Sequence, residues 1–64
     1  MRLGDYFEKK VKIVFKDKDV LEGEVFDYVY PEDNENNKES IIIKDSKSRY
    51  IEVYEKEILS IEII

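Results

Sequence analysis

The sequence contains no cysteine, no histidine and no tryptophan. Without cysteine, neither a disulfide nor a thiolate metal site can form, and the chain suits a reducing compartment. Without histidine, the commonest general base and the usual zinc and copper ligands are missing. We therefore expect a protein that is not an enzyme and that has no metal site and no cofactor, with catalysis by carboxylates alone as the remaining enzymatic route.

Long apolar runs are missing too, and the 64 residues include only two glycines and one proline. The first five residues are followed by the charged Glu8, Lys9 and Lys10, which leaves no apolar stretch long enough for a signal peptide or a membrane span. We expect a cytoplasmic protein with no membrane partner. A chain of this length forms one domain, residues 1–64, near the lower size limit for a core without cross-links.

Negative charge is in excess, with 16 Asp and Glu against 11 Lys and Arg, for a net charge of −5. The imbalance is uneven along the chain, since residues 1–20 sum to +2, residues 21–40 to −6 and residues 41–64 to −1. A net negative charge repels a phosphate backbone. The composition therefore disfavours nonspecific RNA binding and leaves the first third of the chain as the place for a local basic strip.

Alternation of apolar and charged residues predicts strands along most of the chain. Val11, Ile13 and Phe15 alternate with Lys12 and Lys16, and only Val14 departs from the period of two of a half-buried strand. Short polar connections favour antiparallel hairpins, and none of them is long enough for a crossover helix. The predicted strands are residues 11–16, 20–30, 41–44, 49–54 and 58–64.

A short helix and a bent strand complete the predicted fold. Leu3, Tyr6 and Phe7 have the spacing of one helical face, and this helix would end near Lys10 and dock as a plug. Gly23 lies inside the long second strand, where a glycine typically marks a bulge or a sharp bend at a barrel corner. The sequence predicts an all-β fold, a five-stranded, strongly bent antiparallel barrel with a short N-terminal helix.

Three motifs follow one another along the chain: Val11-x-Ile13-x-Phe15-x-Asp17, Leu21-x-Gly23-x-Val25 and Ile58-x-x-Ile61-x-Ile63. They resemble the first strand and acidic turn, the glycine-centred second strand and the closing strand of the Sm-like family. The resemblance covers almost the whole chain. It implies a barrel that forms a homo-oligomeric ring, in which the fourth strand of one subunit pairs with the fifth strand of the next.

Sm-like proteins commonly bind single-stranded RNA on one face of the ring, through residues after the bent strand and in the turn before the last strand. In this chain the polar segment 31–40 follows the bent strand, and Glu55-Lys56-Glu57 stands where the family has Arg-Gly. The resemblance implies RNA binding as an alternative function. Its candidate contacts are Lys12, Lys16, Tyr28 and Lys56.

The C-terminus and the five tyrosines indicate a protein interface. The last predicted strand has more apolar side chains than one half-buried face can hide, so some of them should contact another chain. The alternative to an interface is that the tyrosines pack in the core and across strands, and that the isoleucines are buried within a monomer. We expect a self-associating module for protein interaction or assembly. Its predicted interface residues are Tyr50, Tyr54, Ile58 and Ile64.

Overall fold

The strands follow the alternating pattern, because alternate side chains of a strand point into the core, as Val11 and Ile13 do in the first strand. The computed structural model describes residues 2–64. Within this range the strands are β1 (Lys10–Phe15), β2 (Val20–Val29), β3 (Ser40–Lys44), β4 (Tyr50–Tyr54) and β5 (Ile58–Ile63). Each predicted strand is confirmed to within one residue at either end.

The strands form one antiparallel sheet in the order β4-β3-β2-β1-β5. This confirms the predicted all-β, five-stranded antiparallel fold. The sheet is bent but not closed into a barrel, since no backbone pairing within residues 2–64 joins β4 to β5. The 3-10 helix Glu55–Glu57 carries the chain from β4 to a strand that pairs with β1, so β4 and β5 lie at opposite edges of the sheet.

The bend of the sheet is concentrated in β2. Its first half, Val20 to Glu24, pairs with β1, and its second half, Glu24 to Val29, pairs with β3. A Cβ atom on Gly23 would lie 2.5 Å from the Lys44 carbonyl oxygen, so only glycine lets β3 approach this closely. The irregularity in the β2–β3 register lies further along, between Val25 and Asp27.

The N-terminal helix is present but shorter than predicted. It is a 3-10 helix, Leu3–Tyr6, and it ends before Lys10 because the Glu8 N–H already donates to the Val25 carbonyl of β2. Of the predicted apolar face, Leu3 is fully buried and docks on the sheet, whereas Phe7 is exposed. No helix between residues 2 and 64 has the length and apolar character to cross a membrane.

The core lies inside the bend of the sheet. Leu3 covers it from one end, and the inward-facing side chains of all five strands fill it. Its buried apolar members are Leu3, Val11, Ile13, Val25, Ile41, Ile43, Val53 and Ile58. These side chains all leave water on folding and supply the main stabilisation of so small a domain.

Candidate interaction surfaces

The β5 edge combines exposed aliphatic side chains with backbone that no further strand of residues 2–64 pairs with. Leu59, Ile63 and Ile64 are exposed, although large aliphatic side chains lose stabilisation when they stay in water. The Ile64 N–H bonds to the Lys10 carbonyl, so the alternation of an antiparallel ladder turns the N–H groups of Ile61 and Ile63 away from β1. This edge is therefore open to a further strand.

The β4 edge is built differently, with aromatic and charged side chains. The Asp45 N–H bonds to the Arg49 carbonyl at the β3–β4 turn, so the same alternation turns the N–H groups of Tyr50 and Glu52 away from β3. At the far end, the Tyr54 N–H donates to Glu57 Oε1 at 2.9 Å. One end of this edge is thus already occupied by a side chain of the same molecule.

Two polar groups hold β4 to the rest of the sheet. Ser40 is fully buried, and its hydroxyl donates to Glu52 Oε2 at 2.7 Å and accepts from Asn34 Nδ2 at 3.2 Å. At the turn, the Asp45 carboxylate accepts from the Arg49 backbone N–H and its side chain, and the first of these bonds is the main cause of a lowered pKa for Asp45. These contacts fix β4 as a regular edge strand.

The four predicted interface residues divide between surface and core. Tyr50 and Ile64 are exposed on β4 and just after β5, and Tyr54 is half-buried at the end of β4. Ile58 is only 4% exposed and belongs to the core, where it pairs with Phe15 across a register shift in the β1–β5 ladder. The shift leaves Leu59, and not Ile58, on the outside.

A basic pocket lies where β1 ends and the chain turns between β4 and β5. It is a surface depression of about 500 Å³ whose lining includes Lys16, Lys38 and Lys56 together with Tyr54. Glu39 and Glu55 also line it. Three ammonium groups beside one tyrosine ring are the elements with which proteins hold a phosphate and an adjacent base.

The candidate RNA contacts do not form one site. Lys16 and Lys56 both line the basic pocket, but Lys12 lies on β1 between Glu22 of β2 and Glu62 of β5. Tyr28 lines a different depression. The sequence pattern missed Lys38, because it lies in a polar segment without periodicity, and only the fold brings it to Lys16.

Tyr28 belongs to a second, aromatic pocket between the N-terminal 3-10 helix and the second half of β2. Its hydroxyl donates to Glu39 Oε2 at 2.5 Å. This hydrogen bond, followed by burial and the negative charge of Glu39, raises the pKa of Tyr28 to about 12. The hydroxyl therefore stays protonated at neutral pH, as a donor that holds Glu39 in place.

No group of three or more Asp or Glu side chains within residues 2–64 is arranged to hold a metal ion. Comparison of the chain with protein-family models, with curated proteins and with solved structures finds no match. Function is therefore inferred from the geometry of the chain itself.

Proposed function

We propose that this protein is a non-enzymatic, cytoplasmic, Sm-like module that self-associates by pairing the β4 edge of one copy with the β5 edge of the next. The observation that carries the proposal is the pair of open edges at opposite ends of one bent sheet. An exposed edge with aliphatic side chains is a template for another strand, and natural proteins usually guard or cover it. Here a second copy provides the cover.

The contact is head to tail because the two edges differ. When the β4 edge of one copy pairs with the β5 edge of another, the resulting dimer still has one free β4 edge and one free β5 edge. Further copies therefore add until the assembly closes into a ring. In a closed ring every edge strand is paired, and each pairing is the same β4–β5 contact. It also covers Leu59 and Ile63, which a monomer leaves in water.

The assembled module keeps an aromatic surface for another protein. The rings of Phe26 and Tyr50 meet edge to face, with centroids 5.0 Å apart, and both side chains are exposed. Exposed aromatic pairs are typical anchors of protein interfaces. Binding of a further protein at this surface is part of the proposal.

Proline variants of the two edges test the head-to-tail contact. Tyr50→Pro and Ile63→Pro each remove an N–H group that points away from the sheet, at the first residue of β4 and the last residue of β5, where proline is tolerated. Each variant alone should be monomeric. An equal mixture should form a pair of one copy of each, measured by sedimentation or native mass spectrometry.

The mixing experiment has two outcomes that contradict the proposal. If either variant alone still forms dimers through its remaining edge, like edges pair and the head-to-tail contact is wrong. If the mixture stays monomeric while each variant keeps the circular dichroism spectrum and melting temperature of a folded protein, the edges do not pair with each other at all.

Binding of single-stranded RNA is a second candidate function, and the basic pocket is the observation that favours it. We propose that Lys16, Lys38 and Lys56 contact phosphate while Tyr54 stacks on a base. A short single-stranded RNA should bind, weaken steeply as salt is added, and lose affinity in Lys16→Glu. Lys47→Glu, at an exposed turn position, is the matched control. Equal losses in both variants would contradict a role for the pocket.

A further inference from the structure

The aromatic pocket is separate from both sheet edges and has a volume of about 550 Å³. Its lining includes three aromatic side chains, Phe7, Tyr28 and Tyr30. Phe7 and Tyr30 are exposed there, although rings of this size gain most when they are covered. The pocket thus offers ring surface to a ligand.

The two tyrosine rings form adjoining walls of the pocket. Tyr28 and Tyr30 alternate along β2 and the residue after it, so their side chains leave the same face of the strand. Their ring centroids are 5.0 Å apart and the rings are nearly perpendicular, at 85°. The face of an aromatic ring is electron-rich and attracts a cation, so a cation would bind against the ring faces that the edge-to-face contact of Tyr28 and Tyr30 leaves uncovered.

Three carboxylates, Asp5, Asp27 and Glu39, also line the pocket. Two of them are held in place by Tyr28: its hydroxyl donates to Glu39, and its backbone N–H donates to Asp27 Oδ1 at 2.8 Å. These charges are therefore positioned before any ligand arrives, which lowers the cost of binding. Their negative charge repels anions and attracts cations.

We propose that this pocket binds an organic cation of the alkylammonium class, with its charged head against Tyr28 and Tyr30 and its charge balanced by the carboxylates. Both a free quaternary amine and a lysine side chain of a partner protein present this chemistry. Among residues 2–64, Arg2 is the one cationic residue in the lining, and it lowers the affinity through repulsion. The inference is independent of self-association.

Choline and a lysine-containing peptide are the probes, measured by calorimetry or by NMR shifts of the tyrosine rings. The neutral control for choline is its isostere with a tert-butyl group in place of the trimethylammonium group. Choline should bind at least about tenfold more tightly than this isostere. Binding of the peptide but not choline would assign the ligand to a partner protein, and the reverse would assign it to a free amine.

Variants of the pocket separate ring and charge. Tyr30→Leu removes a ring face but keeps apolar bulk, and Glu39→Gln removes a charge but keeps an oxygen acceptor for Tyr28, so each should weaken probe binding by roughly tenfold. Arg2→Ala should strengthen it. Val20→Ala is the control at an exposed apolar side chain outside the pocket, because Val20 is 55% exposed and does not line it, and it should leave binding unchanged.

Three results would overturn the inference. The first is that neither probe binds the folded protein at millimolar concentration. The second is that choline and its neutral isostere bind equally well. The third is that Val20→Ala weakens binding as much as Tyr30→Leu. The circular dichroism spectrum and melting temperature of each variant show that it is folded, so loss of binding is not loss of structure.

Discussion

The two edges of the sheet are held in place by different means. The β4 edge is fixed by two hydrogen bonds, in which the Ser40 hydroxyl donates to Glu52 and the Tyr54 N–H donates to Glu57. The β5 edge is fixed by the buried Ile58 and exposes Leu59 and Ile63. An edge with its own polar anchors keeps its shape without a partner. An aliphatic edge gains stability when it is covered. For the proposed pairing of the two edges, we infer that β4 serves as the preformed template and β5 as the strand added to it.

Gly23→Ala should have the largest effect, because it disturbs both edges together. The new Cβ atom would lie 2.5 Å from the Lys44 carbonyl oxygen and 2.7 Å from Ile43 Cγ2, so β2 and β3 must move apart. We expect a loss of about 3 kcal/mol in the free energy of unfolding, measured by chemical denaturation.

Gly4→Ala is the control, since its Cβ would meet Tyr28 at an ordinary 3.8 Å. It should change stability by less than about 0.5 kcal/mol. Equal stability of the two alanine variants would show that the close approach of β2 and β3 does not depend on glycine.

Ile63→Lys should break the β5 edge without unfolding the monomer. It places a charge on a side chain that is 58% exposed, and lysine is a residue with which natural edge strands avoid pairing. We expect association to weaken roughly thirtyfold, about 2 kcal/mol, measured by sedimentation equilibrium. Val20→Lys, at a position 55% exposed on β2, should leave association unchanged. Equal weakening in both variants would mean that general charge, and not the edge, controls association.

Ser40→Ala should loosen the β4 edge alone. It removes the buried hydroxyl that links Asn34 to Glu52, and the expected loss is about 1 kcal/mol in the free energy of unfolding. Amide hydrogen exchange should rise along β3 and β4 more than along β1 and β5. Uniform acceleration across the sheet would contradict separate anchoring of the two edges.

Tyr28→Phe should have the smallest effect at neutral pH and a visible one at alkaline pH. The folded state holds the Tyr28 proton more tightly than the unfolded state, with a pKa raised from 10.0 to about 12. Its stabilisation is therefore complete below pH 10 and is lost as pH rises through 12. Between these values the wild-type protein should lose more stability than Tyr28→Phe. A parallel decline, together with no tyrosinate absorbance step near pH 12, would exclude the hydrogen bond to Glu39.

The strands were predictable because their side chains alternate, and each turn between them contains polar residues. Gly23 was predicted as a bend. The reason for the glycine is the close approach of Lys44, twenty-one positions further along the chain, and this approach exists only in the folded structure. Ile58 was assigned to the interface because a strand pattern does not reveal the register shift that turns Leu59 outward. Closure into a barrel was predicted from the tight connections between the strands and from the bend at Gly23, and the open gap between β4 and β5 depends on the path of the connecting turn.

The candidate sites were less predictable than the fold. The four candidate RNA contacts were chosen by residue type and position along the chain, and of these only Lys16 and Lys56 line one pocket. The aromatic pocket was not predicted, because Glu39 reaches Tyr28 only after the chain has turned through the segment 31–40. The distribution of charge along the chain did not indicate this pocket either, because the sequence alone does not show which segments become neighbours in the fold.

The mass of the unmodified protein in solution, measured by light scattering from micromolar to millimolar concentration, tests the central claim most directly. Pairing of β4 with β5 predicts a mass that is a fixed multiple of 7.7 kDa and that returns to 7.7 kDa in Ile63→Pro. A mass of 7.7 kDa across the whole range would contradict it.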